Sequence, residues 1–267
     1  MALRILQRGI SPTKQRISFC IWILDWWHSN SYKSYIIHPS FYQFVFCFNQ
    51  DYYNKTGNKY SYNIEEQDFF RDFHLNEVPF YDNREYSMDL YNGRMKEIIS
   101  NHDGDQPLFL YAAMQTPHSP LQVPQKYEDM YPENMDPNRR TYLGMVTAMD
   151  EVVGDLISTL KASGLYENSV IIFSSDNGAV SGIRGGGSNN PLKGQKGSFY
   201  EGGVRVPAFI HSPKYVKNPG RIYDNLVHIT DWLPTIMHLI NFEDFSSIDG
   251  IDQYENLFED RKDLIPR

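Results

Sequence analysis

Hydrophobic and polar positions form readable blocks from residue 107 onward, after one helical stretch. In "EYSMDLYNGRMKEIISNH" (85–102) the apolar residues recur at helical spacing, which predicts a helix. "PLFLYAAMQ" (107–115) is a short apolar run bounded by turn residues, which predicts a buried strand. A polar loop with Pro117, Pro120 and Pro124 follows. Asp136 can then cap a helix whose first turn holds Pro137. Tyr142, Met145, Met149, Val152, Leu156 and Leu160 fall three and four apart and give that helix one apolar face, and Gly164 stops it. "SVIIFSSD" (169–176) and "VPAFIHSP" (206–213) predict a second and a third buried strand. "TDWLPTIMHLI" (230–240) predicts a capped helix with Leu233, Ile236, Met237 and Ile240 on one side.

Strands alternating with helices are the grammar of an α/β layered domain. Continuous apolar strands imply helices on both sheet faces, and ligands of such sheets gather beyond the carboxyl ends of the strands. Two loops are thereby singled out: the one after Gln115, which carries His118, and the one after Ser175, which carries Asp176 and Asn177. The first 50 residues show no clear period. Basic "MALRILQRGISPTKQR" precedes a short apolar "ISFCIWIL", as in a secretory signal, but Asp25, Trp26 and Trp27 stand where small residues belong. From 51 to about 105 the chain is polar and Tyr-rich.

Composition narrows the function classes. The 267 residues carry a formal net charge of −8, which argues against nucleic-acid binding. No apolar run approaches the roughly 20 residues that span a bilayer. The only cysteines, Cys20 and Cys47, could form one disulfide but make neither a disulfide framework nor a zinc site. Asn54-Lys55-Thr56 fits a glycosylation acceptor, which matters only in a secreted chain.

The candidate chemistry sits in the two loops. Asp176 and Asn177 offer a carboxylate and an amide oxygen, hard donors suited to Ca²⁺ or Mg²⁺; Asp-Asn-Gly is equally good turn sequence. His118 could act as a general acid or hydrogen-bond an anion, or stand as an ordinary loop histidine. Lys193 and Lys196 in "PLKGQKGS" could meet an anionic substrate or be solvated. The Gly185-Gly186-Gly187 run is not a P-loop, because no Gly-Lys-Ser/Thr closes it at the required spacing.

Taken in order, "PLFLYAAMQTPHSPLQVPQKY", "YLGMVTAMDEVVGDLISTLKASGLYENSVIIFSSDNG", "GGGSNNPLKGQKGSFYEGGVRVPAFIHSP", "HITDWLPTI" and "IDGID" resemble the sulfatase family, in its arylsulfatase B-like branch. The likeness runs from about 77 to 255 and thins between 50 and 77. It implies an incomplete α/β fold resembling alkaline phosphatase, a mixed sheet flanked by helices on both faces. It implies hydrolysis of sulfate esters, on a sulfated glycan or an aryl sulfate, with Ca²⁺. Asp176 and Asn177 would be metal ligands. Lys196 would hold a sulfate oxygen, and His118 would contact the sulfate or the leaving oxygen; Lys193 is a weaker candidate for substrate contact. A lysosomal or secreted location also follows from the resemblance alone.

The sequence departs from the family pattern elsewhere. Sulfatases use a formylglycine made from Cys in Cys-x-Pro-x-Arg, whereas Cys20 is followed by "IWIL" and Cys47 by "FNQD". The paired N-terminal aspartates of the metal site and the Gly-Lys-Trp-His segment are also missing, though Trp27-His28 echoes the latter. The expected organisation is an atypical leader over 1–50 without family likeness, a partial catalytic domain over 51–267, and no C-terminal small domain. The expected behaviour is a sulfatase-like chain without turnover. The rival readings are a non-catalytic product that binds sulfated glycans and a phosphoester hydrolase of the same superfamily.

Overall fold

The computed structural model describes residues 18–23, 74–75, 78–79, 86–119, 121–181, 185–242, 248–259 and 261. Four strands form the main sheet: β1 (Ser18–Ile23), β4 (Phe109–Ala112), β5 (Ser169–Ser174) and β6 (Ala208–His211), in the order β4-β1-β5-β6. Two short strands, β2 (His74–Leu75) and β3 (Val78–Pro79), pair antiparallel with each other. The helices are α1 (Ser87–Ser100), α2 (Gln125–Glu128), α3 (Pro137–Ala162), α4 (Glu201–Val204), α5 (Trp232–Leu239) and α6 (Tyr254–Leu257).

β1 pairs in parallel with both β4 and β5, and β6 closes the sheet antiparallel to β5. The sheet is therefore mixed, as expected. Two expectations change. The "ISFCIWIL" stretch, set apart as a leader, contributes the strand that joins β4 to β5. Its lack of period is what a strand inside a parallel sheet shows, since such strands run continuously apolar rather than alternating. "VPAFIHSP" is not a buried strand: it lies at the sheet edge, and Ala208 and Phe209 of β6 are exposed.

Successive residues of a strand point to opposite faces, so one sheet serves two cores. Leu110, Ala112 and Ile171 pack with Met88, Met95 and Ile99 of α1 and Met145, Val152 and Leu156 of α3. Val170 and Ile172 pack on the other face with Trp232, Ile236 and Leu239 of α5 and with Phe258. Helices thus flank both faces.

The long helix begins as its sequence requires. The Asp136 carboxylate accepts from the Arg139 N–H at 2.9 Å, and Pro137 occupies the first turn. It ends in a Schellman-type turn: Gly164 has φ +71 and the Leu165 N–H reaches the Leu160 carbonyl at 3.0 Å. Tyr142, expected on its core face, is only half-buried. Its ring instead lies beside the Arg139 guanidinium, 5.6 Å from the centroid, and a side chain on Gly186 would strike its Cβ at 2.7 Å. Arg139 also donates to the Gly186 carbonyl at 2.7 Å. The glycine run is therefore a close-packing device against the start of α3. Asn92 and Lys96 of α1 both donate to the Asp155 carboxylate of α3, at 2.7 and 3.1 Å, and these bonds hold Asp155 below the usual carboxylate range. Among the described residues no helix is long and apolar enough to cross a membrane.

Candidate active site

Because β4, β1 and β5 are parallel, their carboxyl ends lie along one edge of the sheet. The segments leaving β4 and β5 emerge there, and each carries candidate chemistry. After β4 the chain turns, with the His118 N–H donating to the Gln115 carbonyl at 3.0 Å. After β5 the pairing with the β6 side runs on, the Ser175 N–H meeting the Pro207 carbonyl at 3.1 Å and the Gly178 N–H meeting the Gly203 carbonyl at 2.9 Å. Gly178 is needed for this approach rather than for a left-handed turn. A Cβ there would lie 1.8 Å from the Gly202 carbonyl oxygen.

The loop from 185 to 200 folds back over the exit of β5. Asn189 grips Ala179 through both amide atoms, accepting its N–H at 2.9 Å and donating to its carbonyl at 2.8 Å, and it also donates to the Gly194 carbonyl at 3.3 Å. The Gln195 side chain accepts from the Ser181 N–H and hydroxyl at 3.1 and 2.9 Å. The Lys196 N–H donates to the Ala179 carbonyl at 3.3 Å. Three residues of one short loop thus set Lys196 beside the Asp176–Asn177 turn. Sequence reasoning passed over Asn189 and Gln195. The available signal was the compact polar cluster "SNNPLKGQK" between two structured segments.

Lys196 Nζ lies 3.3 Å from His118 Nε2, joining residues 78 apart in the chain. The ring's other nitrogen, Nδ1, lies 2.5 Å from the Ser119 carbonyl oxygen. A carbonyl only accepts, so Nδ1 carries the proton in the neutral ring and Nε2 presents a lone pair to the ammonium. Burial pushes the Lys196 ammonium below the ordinary lysine range, and the Asp176 carboxylate opposes that shift. Asp176 is thus close enough to act on the charge of Lys196. A cation partly stripped of water, with a hydrogen-bonding ring beside it, is suited to receive an anion.

Asp176 is exposed; its Oδ1 accepts from the Asn177 N–H at 2.7 Å. Asn177 Nδ2 donates to the Gly178 carbonyl at 3.2 Å, and the Ser175 hydroxyl donates to the Asn177 carbonyl at 3.1 Å. With the amide nitrogen committed inward, Asn177 has its side-chain oxygen to offer a cation. The pair fits Ca²⁺ in kind, being hard oxygen donors, and supplies only part of the six to eight oxygens Ca²⁺ takes. Among the described residues no cluster of three or more His, Cys, Asp or Glu side chains could hold a metal. Lys193 is turned elsewhere: its ammonium stands over the Tyr200 ring, 4.0 Å from the centroid. Asn54, Cys47 and Trp27-His28 lie outside the described residues.

The Sulfatase family model matches residues 9–242, so the likeness begins well before residue 51, where it had been expected to start. Arylsulfatase J of Mus musculus is 44% identical over 181 residues, covering 67% of this chain and 30% of that protein. The ulvan-active sulfatase of Formosa agariphila is 30% identical over 206 residues, covering 67% of this chain and 39% of that protein. Among solved structures, Ps i-CgsB in complex with k-i-k-neocarrahexaose superposes with a TM-score of 0.72 at 26% identity, covering 92% of this chain and 56% of that one. The chain spans less than half the length of these curated relatives. With most of its residues inside the family match and its fold shared with solved sulfatases, the chain belongs to the sulfatase family.

Proposed function

We propose that the edge formed by His118, Asp176, Asn177 and Lys196 is the sulfate-holding side of an arylsulfatase-type site, built to bind sulfate esters of glycans. The observation that carries this reading is the meeting of Lys196 and His118 at 3.3 Å, from two loops at the carboxyl ends of parallel strands. Lys196 binds a sulfate oxygen through its ammonium and stabilises the charge that grows as the ester bond breaks. The Ser119 carbonyl fixes the His118 ring through Nδ1 and turns Nε2 toward this edge, where the imidazolium form, protonated at both nitrogens, would give its Nε2 proton to the leaving oxygen. Asp176 and Asn177 would hold Ca²⁺, which when bound supplies a fixed positive charge against the sulfate oxygens. The glycan preference draws support from the relatives, one described as ulvan-active and one solved with a neocarrahexaose.

The 267 residues contain no Cys-x-Pro-x-Arg, so this sequence supplies no formylglycine nucleophile. We infer that it binds sulfated glycans without turning them over. Two measurements test this. Calorimetric titration of the full chain with a sulfated oligosaccharide, with and without Ca²⁺, should give heat that Lys196→Ala reduces at least tenfold in affinity; no heat in either buffer ends the binding reading. Hydrolysis of an aryl sulfate should not exceed that of a His118→Ala, Lys196→Ala double variant. Hydrolysis well above that control would show that a nucleophile is present.

A further inference from the structure

The residues just past Lys196 display a second kind of chemistry. Phe199 is fully exposed, at 101% of its reference area, and its neighbour Tyr200 is 53% exposed. An aromatic side chain left wholly in water forgoes the burial that usually recommends it. The backbone under it is fixed. The Ser198 hydroxyl donates to the Gln195 carbonyl at 2.7 Å, and its oxygen accepts the Gln195 N–H at 3.0 Å. The Gly202 N–H donates to the Lys193 carbonyl at 2.8 Å, and the Gly203 N–H to the Tyr200 carbonyl at 2.7 Å. A Cβ on Gly203 would lie 2.1 Å from the Ser198 carbonyl oxygen, so this crossing is packed to contact.

Tyr200 is anchored in turn. A Cβ on Gly194 would lie 2.7 Å from Tyr200 Cβ, and the Lys193 ammonium stands 4.0 Å from the Tyr200 ring centroid. The nearest acid along the chain, Glu201, has Arg205 at 3.7 Å, which offsets its charge. A firmly held turn therefore presents two aromatic rings, three and four residues beyond the sulfate-holding lysine, and a cation, Lys193, three residues before it. The Cα atoms of Lys196 and Phe199 are at most roughly 11 Å apart, a distance within the length of a disaccharide.

We propose that Phe199 and Tyr200, with Lys193, form a ledge for the sugar next to the sulfated one in an anionic glycan. The apolar C–H face of a pyranose ring lies on an aromatic ring, while a sulfate or carboxylate at its rim meets the Lys193 ammonium. A small aryl sulfate ends before the ledge and gains nothing from it. The proposal rests on the sulfate-holding role of Lys196 and adds a preference for oligosaccharides over isolated esters.

The test uses the full chain and two probes, a chondroitin sulfate hexasaccharide and 4-nitrophenyl sulfate. Phe199→Ala should weaken hexasaccharide binding about tenfold, the effect of losing roughly 50 Å² of buried apolar face, and leave 4-nitrophenyl sulfate binding unchanged. Lys193→Ala should behave alike, with a loss that shrinks in high salt. Lys196→Ala should weaken both probes. If Phe199→Ala leaves hexasaccharide binding intact while Lys196→Ala removes it, the ledge is refuted and the sulfate-holding reading stands. If Lys196→Ala affects neither probe, or neither binds, both fall. A concentration-dependent dimer abolished by Phe199→Ala would overturn the ledge by giving the ring a protein partner. Circular dichroism should be unchanged in Phe199→Ala, since its ring is wholly outside the core.

Discussion

Lys196, proposed above as the anion holder, carries a charge set by its surroundings. Its charge is disfavoured by partial burial and only partly restored by Asp176, so it gives up its proton at lower pH than an ordinary lysine. Anion binding needs the protonated form. Affinity for a small aryl sulfate should therefore decline as pH rises, beginning below the ordinary lysine range. Titrations in chelator-treated buffer at stepped pH values would measure this. Affinity constant up to the ordinary lysine range would contradict it. The positions of His118, Asp176 and Lys196 beyond the strand ends were legible because each falls just past an apolar strand or within a glycine-rich return loop. Their mutual distance was not, because it depends on Asn189 and Gln195 binding backbone groups ten and fourteen residues away. Contacts made to backbone leave no charge pattern or periodicity in a sequence.

At the scale of elements, α3 was the most readable, since its cap, its apolar face and its stop are all local signals. Burial along it runs Met145, Ala148, Met149, Val152, Leu156 and Leu160, all facing α1 and the sheet. Leu156→Ala should cost about 2–5 kcal/mol, as for other fully buried leucines, and a lowered urea midpoint with an unchanged slope would register it. A loss under 1 kcal/mol would mean that this face is not the tight core described. β6 was misjudged for a physical reason. An apolar tetrapeptide reads the same at a sheet edge as at its centre, and only its antiparallel partner and exposed Phe209 tell them apart. Phe209 finds some cover by stacking on Phe173, with centroids 5.3 Å apart.

For the whole molecule, the α/β layering was legible and the place of β1 was not, because strand order depends on pairing across the entire chain. The Ca²⁺ ligation proposed for Asp176 and Asn177 should couple to global stability. A ligand at tenfold excess over its dissociation constant stabilises by about 1.4 kcal/mol, so Ca²⁺ should raise the melting midpoint by about 3–5 °C. Asp176→Ala should remove the rise. An equal rise in that variant would place the ion elsewhere. The location of β1 also bears on how the chain is made. Its parallel partners lie about 90 and 150 residues downstream, so both of its edges wait unpaired while the rest is synthesised. At about 5–20 residues per second that wait is roughly 10–30 s, during which the nascent strand is a template for other chains. Closing loops of this length is slow as well as entropically costly. Yield in the cell should therefore rise when chaperones shield β1 until β5 emerges, and co-expression with a chaperone that binds nascent chains would measure this.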